Sequence, residues 1–187
     1  MSVANTLISE ELAQANILIE TNRQNILRKT FNVVFSEIEN YTNQIPINTD
    51  EILTLQFTNI SNPLIDVNAG IFTIKQNGDY LFTLNGQLQR TGSNGGISFI
   101  NYRANSSLGQ LGSTQCVEIS DSTTTIPISK TFLLPIKNAP ITIWFEVVRN
   151  DASTGNGRTD GGFVTIPSTT PGFSDTPSIG ISCVYMP

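Results

Sequence analysis

Glycine and proline are absent from residues 1–44, whereas residues 45–187 hold all fourteen glycines and all nine prolines. A chain that reverses direction many times needs both residues at its turns, and a long helix needs neither. The break therefore divides a helical arm, 1–44, from a turn-rich domain, 45–187. At this length a globule buries roughly 70 % of its unfolded surface, enough for a core without metal or disulfide staples.

In the arm, Ser9 is placed to cap a helix, with Glu10 and Glu11 in its first turn facing the positive end of the macrodipole. The helical pattern runs to about Asn40, roughly 32 residues and roughly 48 Å, and Pro46 sets its outer limit. Leu12, Ile19, Ile26 and Val33 recur every seven residues, the spacing of a seam that faces a partner helix. Ile8 and Ala15 suit that seam, but Asn22 and Lys29 do not, and a second stripe of Leu27, Phe31, Val34 and Ile38 takes over late. Two readings stay open: a short imperfect coiled coil or docking arm, and a helix lying on its own sheet.

After Pro46 the period changes to two. Strand-like runs are Ile52–Thr58, Gly70–Gln76, Asp79–Gln89, Ile97–Arg103, Ile126–Leu134, Ile141–Arg149, Gly162–Ile166 and Ser178–Met186. Asn77-Gly78 reads as a hairpin turn, and Asn138-Ala139-Pro140 as a second turn. Gly92–Gly96, Asn105–Thr114 and Asn150–Gly161 read as exposed loops. With no βαβ spacing, the expected fold is mainly β: an antiparallel jelly-roll sandwich of about ten strands preceded by one long N-terminal α-helix. Ile179, Ile181, Cys183 and Tyr185 alternate inward, which makes Cys183 a small core residue. Ile141, Ile143, Phe145 and Val147 share one face of their strand, leaving Trp144 and Val148 on the other. Trp144, Val148, Val184 and Met186 would be wet in a solitary sandwich, the pattern of sheets covered by neighbouring subunits or by the helix.

Chemistry is largely excluded. Histidine is absent, which removes the commonest general base and most zinc and copper sites. Net charge is −5, so a nucleic-acid backbone is not a partner. Gly92–Gly96 has no lysine and no helix after it, hence no phosphate cradle. The acids form no convincing catalytic pair, seven of the fifteen lying in or just after the arm. The expectation is no enzyme and no cofactor. Asn150-Asp151, Asn156-Gly157 and Asp160-Gly161 are the one candidate for Ca²⁺, without an established loop spacing. Arg103, Arg149 and Arg158 with Tyr102 are candidate polysaccharide contacts that ordinary solvation explains equally well. The first twenty residues lack a basic n-region, and no apolar run approaches a membrane span, so no membrane role is expected.

The segment from Ala69 to Leu84, AGIFTIKQNGDYLFTL, resembles the G-x-F-x-x-x-x-x-G-x-Y-x-F hairpin of the tumour necrosis factor and complement globular-head superfamily. Ser129–Asn138 with Ile141–Val147 is similar to that family's late strand pair, and Pro177–Tyr185 to its closing strand. The resemblance covers roughly residues 50–187 and implies a jelly roll assembled as a threefold knob. It points Leu81, Trp144, Ser182, Val184 and Met186 at neighbouring subunits. Asn138-Ala139-Pro140 departs from the family's usual Gly-Asp turn. Similar domains occur on bacteriophage fibres and bacterial spore surfaces. The expected role is a structural virion protein, a homotrimeric head-fibre or capsid-decoration knob of a tailed bacteriophage. It would be made in the host cytoplasm, and its arm would hold other virion proteins. The alternatives are a receptor- or carbohydrate-binding fibre tip reading a host surface glycan, and a spore-surface trimer.

Overall fold

The computed structural model describes residues 3–30, 32–44, 51–89, 98–119, 125–150 and 161–187. Within the helix, side chains are described at Ile8 and from Glu10 to Arg23, and within the first strand from Glu37 onward. The elements are α1 (Val3–Thr30), β1 (Asn32–Asn40), β2 (Ile52–Thr54), β3 (Ile60–Ser61), β4 (Ile65–Asn68), β5 (Ile71–Ile74), β6 (Gly78–Gln89), β7 (Ser98–Ser106), β8 (Gly109–Ile119), β9 (Ile126–Ile136), β10 (Ile141–Asn150), β11 (Gly162–Phe163) and β12 (Ile179–Met186).

All the pairings are antiparallel, and they build two sheets. One runs β1-β12-β6-β9, with β11 continuing the β12 side of β6; the other runs β3-β4-β5-β10-β7-β8, with β2 extending the β5 side of β10. Successive long strands change sheet at β5–β6, β6–β7, β8–β9, β9–β10 and β10–β12, while β7–β8 is a hairpin within one sheet. That order is the jelly roll. The expected mainly β sandwich with one N-terminal helix is the fold observed, in twelve strands among the described residues because irregular stretches add short pieces such as β3, β4 and β11.

Aromatic rings join the two sheets. Phe72 of the second sheet is fully buried, with its centroid 5.6 Å from each of Phe57, Phe82 and Phe145 in edge-on contacts. Phe145 in turn meets Phe82 and Phe132 of the first sheet. Ile179, Ile181, Cys183 and Tyr185 point into this core as the alternation predicts.

Several expectations are corrected. The helix begins at Val3, so Ser9 is no cap and Glu10 and Glu11 are not in the first turn. It ends at Thr30, not near Asn40, and residues 32–40 pair with β12 as a strand. Val33, Val34, Phe35 and Ile38 are β-branched or aromatic, types that lose rotamer freedom in a helix and pack well on a pleated surface. With neither glycine nor proline at that boundary, the sequence carries no punctuation to mark the change. Val33 therefore leaves the helical seam and pairs with Val184, and Ile38 lies in the sandwich core at 3 % exposure. The stripe of Leu27, Phe31, Val34 and Ile38 is accordingly not a helical one; Phe31 and the Leu27 side chain lie outside the described residues.

Asn77-Gly78 is not a hairpin, because β5 and β6 belong to different sheets. The chain crosses the sandwich here under two buried tyrosines: the Tyr80 hydroxyl donates to the Gln76 carbonyl at 3.0 Å, and the Tyr185 hydroxyl to the Asn77 carbonyl at 3.1 Å. Gly78, at φ 146°, leaves no room for a side chain beside the Tyr185 ring, since a Cβ there would lie 2.5 Å from it. Asn105–Thr114 is not a loop but the end of β7, a tight turn and the start of β8. The Gly92–Gly96 loop and residues 151–160, with the candidate Ca²⁺ ligands Asp151, Asn156 and Asp160 and with Arg158, lie outside the described residues.

Gly70 gives a stability test. Its φ is +78°, and a Cβ would stand 2.0 Å from the Leu55 carbonyl oxygen, which is backbone and has little freedom to retreat. Gly70→Ala is expected to cost roughly 2–4 kcal/mol in urea unfolding, from left-handed strain plus overpacking. A change below about 0.5 kcal/mol, the range of an ordinary surface substitution, would contradict this placement.

Candidate functional site

The sandwich presents two outward faces with different chemistry. On the β1-β12-β6-β9 sheet, register aligns Val184 with Leu81 and Leu81 with Leu133, making an aliphatic row across three strands that Val33 of β1 continues at the backbone. Leu81 and Val184 are half-buried, and Leu133 is 56 % exposed. The next row is Ser182–Thr83–Thr131, and the one on the other side is Met186–Asp79–Pro135. Between Asp79 at one margin and Glu37 and Glu39 at the other, the described residues of this face carry no charge. Burial and the neighbouring Glu39 carboxylate raise the pKa of Glu37 above its usual value.

Four of the five residues expected at a subunit interface, Leu81, Ser182, Val184 and Met186, share this face. Trp144 does not: it lies on β10 of the opposite sheet, facing away from the core there. Alternation places a residue inside or outside its strand but does not say which sheet the strand joins. Leu133 belongs to the face and lacks an individual sequence signal, being one leucine in the apolar run Phe132-Leu-Leu-Pro135.

The described helix side chains, Ile8 and Glu10–Arg23, are all exposed, so over that length the helix does not cover either sheet. Leu12 and Ile19 of the expected seam are each 63 % exposed, beside Ile8, Ile17 and Leu18. Ile26 lies on the helix with its side chain outside the described residues. Among the described residues no helix is long and apolar enough to cross a membrane.

Opposite, on the β10-β7-β8 surface, Trp144 takes part in a connected network. Its indole Nε1–H donates to Glu146 Oε1 at 2.6 Å, and Arg103 Nε donates to Glu146 Oε2 at 2.7 Å. Arg103 Nη1 donates to Gln110 Oε1 at 3.1 Å, and Gln110 Nε2 donates onward to the Gly112 carbonyl at 3.0 Å and Thr114 Oγ1 at 3.2 Å. The network spans an irregularity in the β7–β8 ladder. Tyr102 pairs with Gln115 and Ala104 with Leu111, so the single residue Arg103 stands opposite three, Gly112, Ser113 and Thr114. Gly112 supplies the left-handed conformation the bulge needs, at φ 70°. Beside the bulge lies a groove of about 350 Å³ lined by Ile52, Asn101, Arg103, Thr114, Glu146 and Val148.

Burial tends to raise the Glu146 pKa, but hydrogen bonds from Trp144, Arg103 and Asn105 outweigh it and hold the carboxyl below its ordinary 4.5. The stabilisation that carboxylate contributes is present above pH 4.5 and lost as pH falls through the lower folded value. The chain has one tryptophan, so acid titration followed by Trp144 fluorescence is expected to show a midpoint below 4.5 that Glu146→Gln abolishes. A midpoint at or above 4.5 would contradict this geometry.

No family model matches this sequence, and no curated protein does. The jelly roll does align with solved structures. Crystal structures of murine APRIL at pH 5.0 and pH 8.0 each match at 8 % identity, covering 78 % of this chain and 95 % of theirs, with TM-scores of 0.39 and 0.41. A third, at pH 8.5, matches at 12 % identity over 79 % of this chain and 97 % of its own, with a TM-score of 0.39. The likeness is one of fold, and the jelly-roll assignment rests on the strand order itself. Among the described residues no cluster of three or more acid or cysteine side chains could hold a metal ion. Cys116 is exposed and Cys183 fully buried, and neither forms a disulfide.

Proposed function

We propose that this chain is a structural assembly protein: a homotrimeric knob packed through the β1-β12-β6-β9 face, displayed on a virion as a head fibre or capsid decoration of a tailed bacteriophage. The observation that carries the assembly reading is the uncharged row Val184–Leu81–Leu133, half-wet in a single copy. Apolar area on an antiparallel sheet that none of the described helix side chains covers marks an interaction surface. A second copy supplies the missing cover, and the row on one side is Ser182–Thr83–Thr131, with Asp79 confined to the row at the other margin.

The helix supports the same reading. Ile8, Leu12, Ile17, Leu18 and Ile19 are each more than 60 % exposed, whereas helices in proteins draw most of their stability from packing an apolar face. Three arms from one knob bundle, or dock into another particle protein. The low charge content, 13 %, and the surface of Asn, Thr and Ser suit a passive particle component rather than a catalyst. A receptor- or carbohydrate-binding tip is the second reading, and the groove beside Glu146 is the observation that favours it.

Mass spectrometry and electron microscopy of purified particles test the virion role. The expected result is the chain present in multiples of three, seen as threefold knobs on particle surfaces. Absence from washed particles would remove the virion role while leaving the assembly to be judged on its own.

A further inference from the structure

We infer that the groove beside the β7–β8 bulge is a binding site for a neutral carbohydrate. Three features carry this. The first is shape and pre-organisation: about 350 Å³ of concave space falls in the range of small-ligand sites, and a continuous hydrogen-bond chain fixes its wall from Trp144 through Glu146, Arg103 and Gln110 to the bulge. Walls already held in place spend little ordering entropy when a ligand arrives.

The second is charge. Among the described residues Arg103 and Glu146 are the only charged ones lining the groove, and they neutralise each other at 2.7 Å. A phosphate or carboxylate ligand would meet a guanidinium already paired and a carboxylate beside it, in a protein of net charge −5. A cationic ligand would compete with Arg103 for the same carboxylate. A neutral ligand meets neither conflict.

The third is the pattern of open groups. Arg103 uses Nε and Nη1 within the network, which leaves its Nη2 edge and the Asn101 amide facing the groove without a hydrogen bond among the described residues. A planar amide and a planar guanidinium edge match adjacent hydroxyls, which both donate and accept. Ile52, 55 % exposed, and Val148 offer apolar flanks to the C–H face of a sugar ring. The groove lies on the sheet opposite the proposed assembly face, so trimer formation leaves it open, and its test does not depend on whether the trimer forms.

Calorimetry of the full chain, with Trp144 fluorescence as the local readout, tests this against methyl glucoside, methyl galactoside, mannose, N-acetylglucosamine and their neutral oligomers, each taken to its solubility limit. Inorganic phosphate and a serine–asparagine peptide serve as the other classes. The expected result is saturable heat and a fluorescence change with at least one neutral sugar, and none with phosphate or peptide. Asn101→Ala is expected to weaken that binding about tenfold, the worth of one lost hydrogen bond. Thr114→Leu, at an exposed position on the bulge, provides a second variant with the same direction of effect. Thermal melting confirms that each variant is folded. Silence with every sugar, a response to phosphate or peptide instead, or sugar binding indifferent to both folded variants would overturn the inference.

Discussion

A protein carrying Val184→Glu and Leu133→Glu together is expected to run as a folded monomer of 20.4 kDa, where the unaltered chain runs at three times that mass. Both positions face away from the core, Val184 half-buried and Leu133 56 % exposed in a single copy, so a monomer tolerates the charges. An assembled face does not. Each carboxylate would lose its water against the aliphatic row of a neighbour, and symmetry brings several like charges together, a penalty of several kcal/mol. Leu108→Glu is the control: Leu108 is 78 % exposed in the β7–β8 turn on the other sheet, and its change is expected to leave the mass unaltered. Unfolding temperatures confirm that the double variant has lost its partners rather than its fold. A double variant that stays trimeric would place the interface elsewhere.

The largest expected loss of stability comes from Phe72→Ala. The ring is fully buried and edge-on to Phe57, Phe82 and Phe145, so with Phe145 it is one of the rings that couple the two sheets. Removing it deletes the transfer free energy and leaves a cavity that the neighbouring rings, Phe82 and Phe145 of them held by strands, do not collapse to fill; about 3–5 kcal/mol is expected. Phe173, 73 % exposed, is the comparison, and Phe173→Ala should lie within about 0.5 kcal/mol of the unaltered chain. Urea unfolding at one fixed protein concentration makes the two comparable, because subunit association adds to apparent stability by mass action. A Phe72→Ala loss under about 1 kcal/mol would mean the sheets are not packed around that ring.

The sequence was most informative where period and punctuation agreed. Alternation in Ile179–Tyr185 identified the buried set, including Cys183, because a strand with one buried face has only two ways to orient its side chains. It failed at two kinds of place. The α1–β1 junction has no glycine or proline, so a helical stripe could be extended through Val33 and Ile38, where the partner strand β12 decides the conformation. Asn77-Gly78 has the residues of a hairpin turn, yet β5 and β6 pair with other strands, and local turn chemistry does not encode which sheet a strand joins.

The candidate sites divide in the same way. Leu81, Ser182, Val184 and Met186 fall on one face because strands β6 and β12 are neighbours in register. Outward parity and the family resemblance both point Trp144 at the same interface, yet its strand lies in the opposite sheet. The groove was legible only in hindsight, from Glu146 as the one acid within the apolar run Ile141–Val148. An acid there needs partners, but that Arg103, Asn105 and Trp144 supply them follows from pairing of β10 with β7 and from the bulge opposite Arg103.

Light scattering of the full chain in solution, repeated after removal of residues 1–30, addresses the assembly most directly. The cut falls after Thr30 because β1 belongs to the sheet and must stay. A mass near three times 20.4 kDa for the full chain, with the shortened chain still trimeric, is the predicted result. Monomers in both would contradict it, since the row Val184–Leu81–Leu133 would then stand in water without a partner.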